Sequence, residues 1–225
     1  MSSSDNPLWL QLWRDKQTDD FHQKTVNQFL PRFWPALQLA KHSRIFVPLC
    51  GKSLDMIWLA EQGHEIIAIE LSTLAIKAFF HENKLKPVKQ HRGKFTQWSH
   101  GRIKILCGDF FALNSDDLGE IDTVYDRAAL TALPEDTRKL YVEHMQNIIS
   151  DSSNVFLLTI EDIEANNIQQ NHGQVDAEIT SLYAEHFLIK LTYTETVHDP
   201  YPPLPNQIPV SAEFKVYKLS GRGRV

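Results

Sequence analysis

A Gly-Lys-Ser triplet stands between an apolar run and a helix-like run in VPLCGKSLDM (47–56), the arrangement that closes a phosphate-binding loop. Such a loop needs a glycine five residues before its Gly-Lys pair, so that the backbone can curl and aim its amides at phosphate. Five residues before Gly51 is Phe46, and no glycine lies between Ser43 and Cys50. Nucleotide hydrolysis fails on that ground. A dinucleotide fingerprint fails as well, because Gly51 is the only glycine in the turn. What remains is a strand ending at Leu49, a tight corner at Gly51 and a helix from about Ser53, with Ser53 or Asp55 available to the first-turn amides. At this corner alone, a plain strand-to-helix turn explains the residues as well as a binding site does.

Glu70 closes EIIAIEL nineteen positions after Gly51. In open α/β sheets, an acid about 20 residues beyond the first turn reaches the hydroxyls of a bound ribose, and a carboxylate suits a vicinal diol. Asp109, Phe110 and Phe111 follow a strand in CGDFFAL (107–113). An acid there suits an adenine amine and the rings suit its faces, although Gly-Asp is also an ordinary turn and paired aromatics are more often core. Asp126 and Arg127 leave a strand in VYDRAAL (124–130), at the carboxyl edge where such sheets bind ligands. The bland alternative is a surface Asp–Arg pair of little energetic weight. Trp9 and Trp13 stand at i and i+4, either a core stripe or a lid whose π faces suit a cation, worth about 0.5–2 kcal/mol. Cys50 has no neighbouring histidine to activate it and suits simple packing. Neither the two cysteines nor the ten histidines show metal-ligand spacing.

These residues need strand ends to hold them, and the hydrophobic pattern supplies strands alternating with helices. Strands are expected at 43–49, 64–71, 102–110, 121–130 and 154–160, and helices at 54–62, 74–83 and 135–150, with Gly63 stopping the first helix and Pro134 opening the last. That alternation argues for a mostly parallel sheet with helices on both faces. Later, 175–187 reads as a helix. Residues 188–197 and 212–220 read as an antiparallel strand pair joined by the proline-rich 198–209. No domain boundary is evident.

A chain of 225 residues suits one α/β domain. Its net charge of −5, with basic residues that read as scattered rather than striped, points away from nucleic acid. The N-terminal MSSSDNPLWLQLW does not read as a secretory signal, and no run of about 18 apolar residues spans a bilayer. A cytoplasmic setting is expected.

FHQKTVNQFL, FVPLCGKSLDMIWLAEQGHEIIAIELS, CGDFFAL and YDRAALTALP together resemble the thiopurine S-methyltransferases, the bacterial members especially, from about Trp9 to residue 150. The resemblance implies a class I methyltransferase (Rossmann-like) α/β fold: a seven-stranded, mostly parallel sheet with an antiparallel C-terminal edge. It implies one domain over 1–225, with 1–40 as a helical lid over the cofactor site. The implied cofactor is S-adenosyl-L-methionine. The implied acceptor is the sulfur of an aromatic or heterocyclic thiol such as a thiopurine, with selenium and tellurium compounds as further acceptors. Position by position, it assigns Trp13, Leu49, Glu70 and Arg127 to the cofactor, Arg127 also to catalysis at the methyl-transfer site, and Phe21 to the acceptor; the reading of the corner and of CGDFFAL adds Gly51, Asp109 and Phe110 to the cofactor side. It implies a monomer with a small-molecule partner, while the residue spacing, charge and hydropathy above lead to an expectation of no metal, no nucleic acid and no membrane. The chain departs from the family at Asp20, where a glycine is common, and in the 161–174 loop, which with 198–209 would shape the acceptor site. Two rivals remain: a nucleotide- or dinucleotide-binding enzyme, and a non-catalytic S-adenosylmethionine-binding module.

Overall fold

The structure is a computed structural model that describes residues 6–15, 17, 22–163, 174–198 and 211–223. Asp20 and Phe21, together with most of the 161–174 and 198–209 segments, lie outside the described residues. The chain divides into two compact units: Met1–Tyr125 with Asn147–Ser150, and Asp126–Gln146 with Asp151–Val225.

In the first unit, strands β1 (Arg44–Val47), β2 (Glu65–Glu70), β5 (Ile103–Cys107) and the start of β6 (Thr123–Arg127) run parallel in the order β5-β2-β1-β6. The continuous apolar runs explain this. Ile45, Phe46, Ile66, Ile67, Ile69, Ile105, Leu106 and Val124 are all buried, as strands covered on both faces require. Helix α3 (Asp55–Glu61) follows β1 and stops at Gly63, and helix α4 (Thr73–Glu82) follows β2 with Ser72 capping the Ala75 amide. An N-terminal helix α1 (Asn6–Arg14) and a short helix α2 (Phe29–Phe33) precede them.

A hairpin absent from the sequence expectation adds β3 (Val88–Arg92) and β4 (Phe95–His100), antiparallel to each other and, through β4, to β5. Nine strands, not seven, are present among the described residues. Its signal was the two-residue Gly93-Lys94 link, where Gly93 adopts the positive φ (+56°) that tight hairpin loops demand. This edge also corrects the picture of scattered cations: Lys84, Lys86, Lys89, Arg92 and Lys94 lie together in sequence along it, all exposed. Charged edge strands discourage strand-to-strand aggregation, which is reason enough for the cluster.

The second unit holds the end of β6, a four-residue helix α6 (Ala129–Ala132), helix α7 over its Glu135–Gln146 portion, strands β7 (Asn154–Ile163), β8 (Phe187–His198) and β9 (Ser211–Gly221), and helix α8 (Ala177–Tyr183). β9 lies between β7 and β8 and is antiparallel to both, as the late strand pair was expected to be. The alternation in AEFKVYKLS does not send its polar residues to water. Glu213 and Lys215 are buried, paired with each other at 2.9 Å, and Lys215 also bonds Asp176, which accepts from the Tyr217 hydroxyl.

Candidate active site

The corner after β1 is held from the neighbouring strand. The Cys50 N–H donates to the Ile69 carbonyl at 3.0 Å, and the Gly51 N–H donates to Glu70 Oε2 at 2.8 Å. The Ser72 N–H donates to the other oxygen, Oε1, at 2.7 Å. Glu70 is thus buried, 6% exposed, with one backbone donor on each oxygen. A carboxylate offers about four lone-pair sites, so each oxygen keeps capacity for one more donor. Burial pushes the Glu70 carboxyl above its ordinary range, against the lowering effect of the Ser72 and Gly51 amides that bond it and of the Leu71 amide nearby.

Two residues of this corner have positive φ: Gly51 (+53°) and Leu49 (+45°). Glycine adopts that region freely. A branched side chain there costs roughly 1–2 kcal/mol. A Cβ on Gly51 would sit 3.5 Å from Cζ2 of Trp13, ordinary van der Waals contact, so the glycine answers to its φ rather than to a lack of space. The Trp13 indole therefore lies directly against the corner. At the other end of the same helix, Asn6 Nδ2 donates to Asp109 Oδ2 at 3.0 Å. Helix α1 consequently runs across the carboxyl edge from the end of β5 to the end of β1. Its face made by Asn6, Trp9, Leu10 and Trp13 is only half-buried, and the helix buries no residue fully.

Asp109 also accepts from the Phe111 N–H at 2.9 Å and so caps the 3₁₀ turn Phe110–Ala112. Phe110 is 3% exposed and stacks on Phe46 with centroids 6.4 Å apart, so its ring belongs to the core. Phe111, edge-on to it, is the half-exposed ring of the pair.

Lys52, the residue that suggested phosphate, turns away to α4. Its Nζ donates to both Glu82 oxygens at 2.8 and 3.1 Å. The Cys50 thiol is buried, bonds the Gly51 carbonyl at 3.6 Å, and is pushed far up by burial and then by the Glu70 charge, which leaves it protonated and inert. Among the described residues, no group of metal-ligating side chains occurs.

Sequence reasoning offered Asp55 only to the first-turn amides of its helix; it is Ser53 Oγ that accepts there, from the Asp55 N–H at 3.3 Å, and Asp55 has a different role. Its side chain is buried, accepts from the Asn27 N–H at 2.8 Å and from the Tyr125 hydroxyl at 2.9 Å, and so ties the segment after Phe21 to the corner helix and to β6. No local signal marks it, because its partners are 28 and 70 residues away.

In the second unit, Arg127 ends β6 and is half-buried. Asp126 beside it is no member of a surface pair: it is 0% exposed. Its carboxylate accepts from the Ala129 N–H at 3.0 Å, the Leu130 N–H at 3.3 Å and the Tyr141 hydroxyl at 2.7 Å. The three-residue step from Asp126 to the first amide of α6 was the available signal, the spacing of a helix-capping acid. Burial raises the Asp126 carboxyl to about 6.

The donor set suits an adenosyl group: a buried acid at the β2 end for a diol, a second acid and a half-exposed ring at the β5 end for a base, and an indole at the corner for a positive sulfonium. Lys52, the cation of the β1 corner, is engaged by Glu82 rather than turned toward a phosphate. The parallel strands, their helices and this edge define a class I S-adenosylmethionine-dependent methyltransferase. The fold is shared with an S-adenosylmethionine-dependent methyltransferase from Anabaena variabilis (TM-score 0.59, 15% identity, 95% of this chain and 94% of that one). It is shared also with the 1,6-didemethyltoxoflavin-N1-methyltransferase of Burkholderia thailandensis, solved with S-adenosylhomocysteine (TM-score 0.59, 13% identity, 96% and 87%). The thiopurine S-methyltransferase family profile matches residues 4–221, and the thiopurine S-methyltransferase of Stutzerimonas stutzeri is 55% identical over 222 residues, 99% of this chain and 93% of that one. The chain belongs to the thiopurine S-methyltransferase family.

Proposed function

We propose that this chain transfers a methyl group to the sulfur of an aromatic or heterocyclic thiol, with thiopurines as the representative acceptors. The observation that carries this reading is α1 laid over the Gly51–Glu70 corner, with an indole against the backbone and a buried acid beneath. Glu70 takes the ribose hydroxyls on its remaining lone pairs, and Asp109 with Phe111 takes the adenine. Leu49 and Gly51 let the main chain approach, and Phe110 holds the adenine turn from within the core. Trp13 covers the site as part of an N-terminal lid over residues 1–40.

When bound, S-adenosylmethionine supplies a methyl group already activated on a sulfonium sulfur. The protein's task is then placement and charge. A soft, ionisable thiol needs no dedicated base. Arg127 holds the anionic sulfur or another anionic group of the acceptor, and Phe21 borders the acceptor ring. We assign the chain a cytoplasmic, monomeric existence within a single functional domain, without nucleic-acid or membrane partners. The nucleotide reading is disfavoured by the engagement of Lys52 with Glu82.

The test has two stages. Thermal shift with S-adenosylmethionine, S-adenosylhomocysteine, NAD and ATP should show stabilisation by the first two alone. A labelled-methyl assay should then find transfer to a thiopurine, with selenium and tellurium compounds as alternative acceptors, and Arg127→Ala should lower turnover by more than about tenfold, the worth of a charge-assisted contact. Stabilisation without transfer to any acceptor identifies a binding module instead. Unchanged turnover in Arg127→Ala refutes the role given to the arginine.

A further inference from the structure

An arginine on a long flexible stem reaches a fixed point only if its backbone is fixed first. Arg127 stands between two residues whose positions are heavily constrained. On one side, Asp126 is wholly buried and receives the first two amides of α6 and the Tyr141 hydroxyl. On the other, Ala128 takes a left-handed φ of +57° and donates its N–H to the Leu158 carbonyl at 2.9 Å. A four-residue helix has little cooperativity of its own, so α6 depends on such a cap to begin where it does. Tyr141 comes from the middle of α7 and joins this corner to a longer element.

We propose that Asp126, braced by Tyr141, is the positioning residue for Arg127: it sets the strand-to-helix corner that aims the guanidinium at the acceptor. The inference rests on the acceptor role assigned to Arg127 above. Asp126 touches no ligand in this scheme and acts only through the backbone. Its ionised form matters because a carboxylate accepts from all three donors. A protonated carboxyl, or an asparagine amide, sets a second donor against the Tyr141 hydroxyl. The groups facing Asp126 are Tyr141 from α7, Tyr183 from α8 and Arg127 of its own corner, and neither tyrosine ionises in the useful pH range because burial raises both.

Turnover and KM should be measured in the labelled-methyl assay for Asp126→Asn, Tyr141→Phe, Arg127→Ala and the two double variants that include Arg127→Ala. Expected at pH 8 are losses in kcat of about tenfold for Asp126→Asn and about threefold for Tyr141→Phe, with KM for S-adenosylmethionine within about twofold of wild type. Within the Arg127→Ala background, neither change should cost more than about a further twofold, because the residue they position is gone. The wild-type kcat should fall through an acid limb near pH 6, and Asp126→Asn should lack that limb, matching wild type below it. Losses that multiply fully in the double variants overturn the proposal and leave Asp126 a structural cap, as does wild-type turnover in Asp126→Asn with only a lowered Tm. If Asp126→Asn does not fold, Tyr141→Phe and its double variant carry the same test. Unchanged turnover in Arg127→Ala alone overturns the acceptor role of the arginine and this inference with it, whereas loss there with full additivity overturns this inference only.

Discussion

The corners after β1 and after β6 share a plan and differ in where the acid comes from. Each turns a strand into a helix, each holds a non-glycine residue at positive φ (Leu49 and Ala128), and each is secured by a buried carboxylate that accepts backbone amides. In the first, Glu70 belongs to the adjacent strand and reaches across, with one protein donor on each oxygen. In the second, Asp126 lies inside its own turn, and three protein donors take its carboxylate. An acid that reaches across a strand end still faces the ligand edge, so it can serve protein and ligand together. An acid folded into its own turn can serve the ligand only through the backbone it holds.

The largest effect expected from that contrast is at Glu70. Glu70→Ala removes the proposed ribose acceptor and leaves the Gly51 and Ser72 amides unsatisfied, each worth about 1–3 kcal/mol. Calorimetric titration should show affinity for S-adenosylhomocysteine reduced by about 100-fold and unfolding at lower denaturant; wild-type affinity would end the ribose assignment. Next comes pH. The folded Asp126 carboxyl titrates near 6 against an ordinary 3.8, so the folded protein binds this proton more tightly than the unfolded chain does. Its contribution to stability is therefore greatest below about pH 4, is lost as pH rises to about 6 and is level above, a span of roughly 3 kcal/mol. Urea unfolding of wild type and Asp126→Asn from pH 4 to 7 should show that slope in the wild type and not in the variant. Parallel curves would mean that the carboxyl is not desolvated.

The positive-φ residues separate the corners more finely. Ala128→Gly relieves a left-handed alanine and should raise stability by up to about 1 kcal/mol, net of the extra freedom glycine gives the unfolded chain. Leu49→Gly relieves the same strain but also removes a half-buried side chain at the cofactor corner. It should gain no stability and should weaken S-adenosylhomocysteine binding about three- to tenfold. Retention of a strained leucine where glycine would be easier is itself a sign that its side chain is used. Equal behaviour of the two glycine variants in both assays would remove the distinction. The smallest effect belongs to Lys52→Ala. Its partner Glu82 is half exposed, so the pair is worth less than about 1 kcal/mol, and turnover should not change. A large loss of activity would reopen the phosphate reading.

The sequence made the parallel strands legible because a strand buried on both faces reads as an unbroken apolar run, as RIFV and EIIAIE do. It made Glu70 legible because the spacing from corner to acid follows from the length of one helix and one strand. The β3–β4 hairpin escaped because its outer strand is exposed along its whole length, so no apolar period marks it. The burial of Glu213 and Lys215 escaped for a related reason: alternation tells which residues share a face, while only packing tells whether that face is wet. The capping role of Asp126 escaped because adjacent opposite charges look alike in sequence whether they sit at a ligand edge, in a solvated pair or in a cap.

By itself, then, the amino-acid sequence determined the α/β class and the order of its main strands and helices, since burial period is a local property of the chain, although the strands expected to run to 49, 110 and 130 stop at Val47, Cys107 and Arg127. The tertiary structure alone decided which donors each acid would meet. Gly51 with Glu70, Asn6 with Asp109, Asn27 and Tyr125 with Asp55, and Tyr141 with Asp126 are pairs 15 to 103 residues apart. A carboxylate's chemistry depends on its desolvation and its hydrogen-bond partners, and for each of these acids a decisive partner comes from residues distant in the sequence.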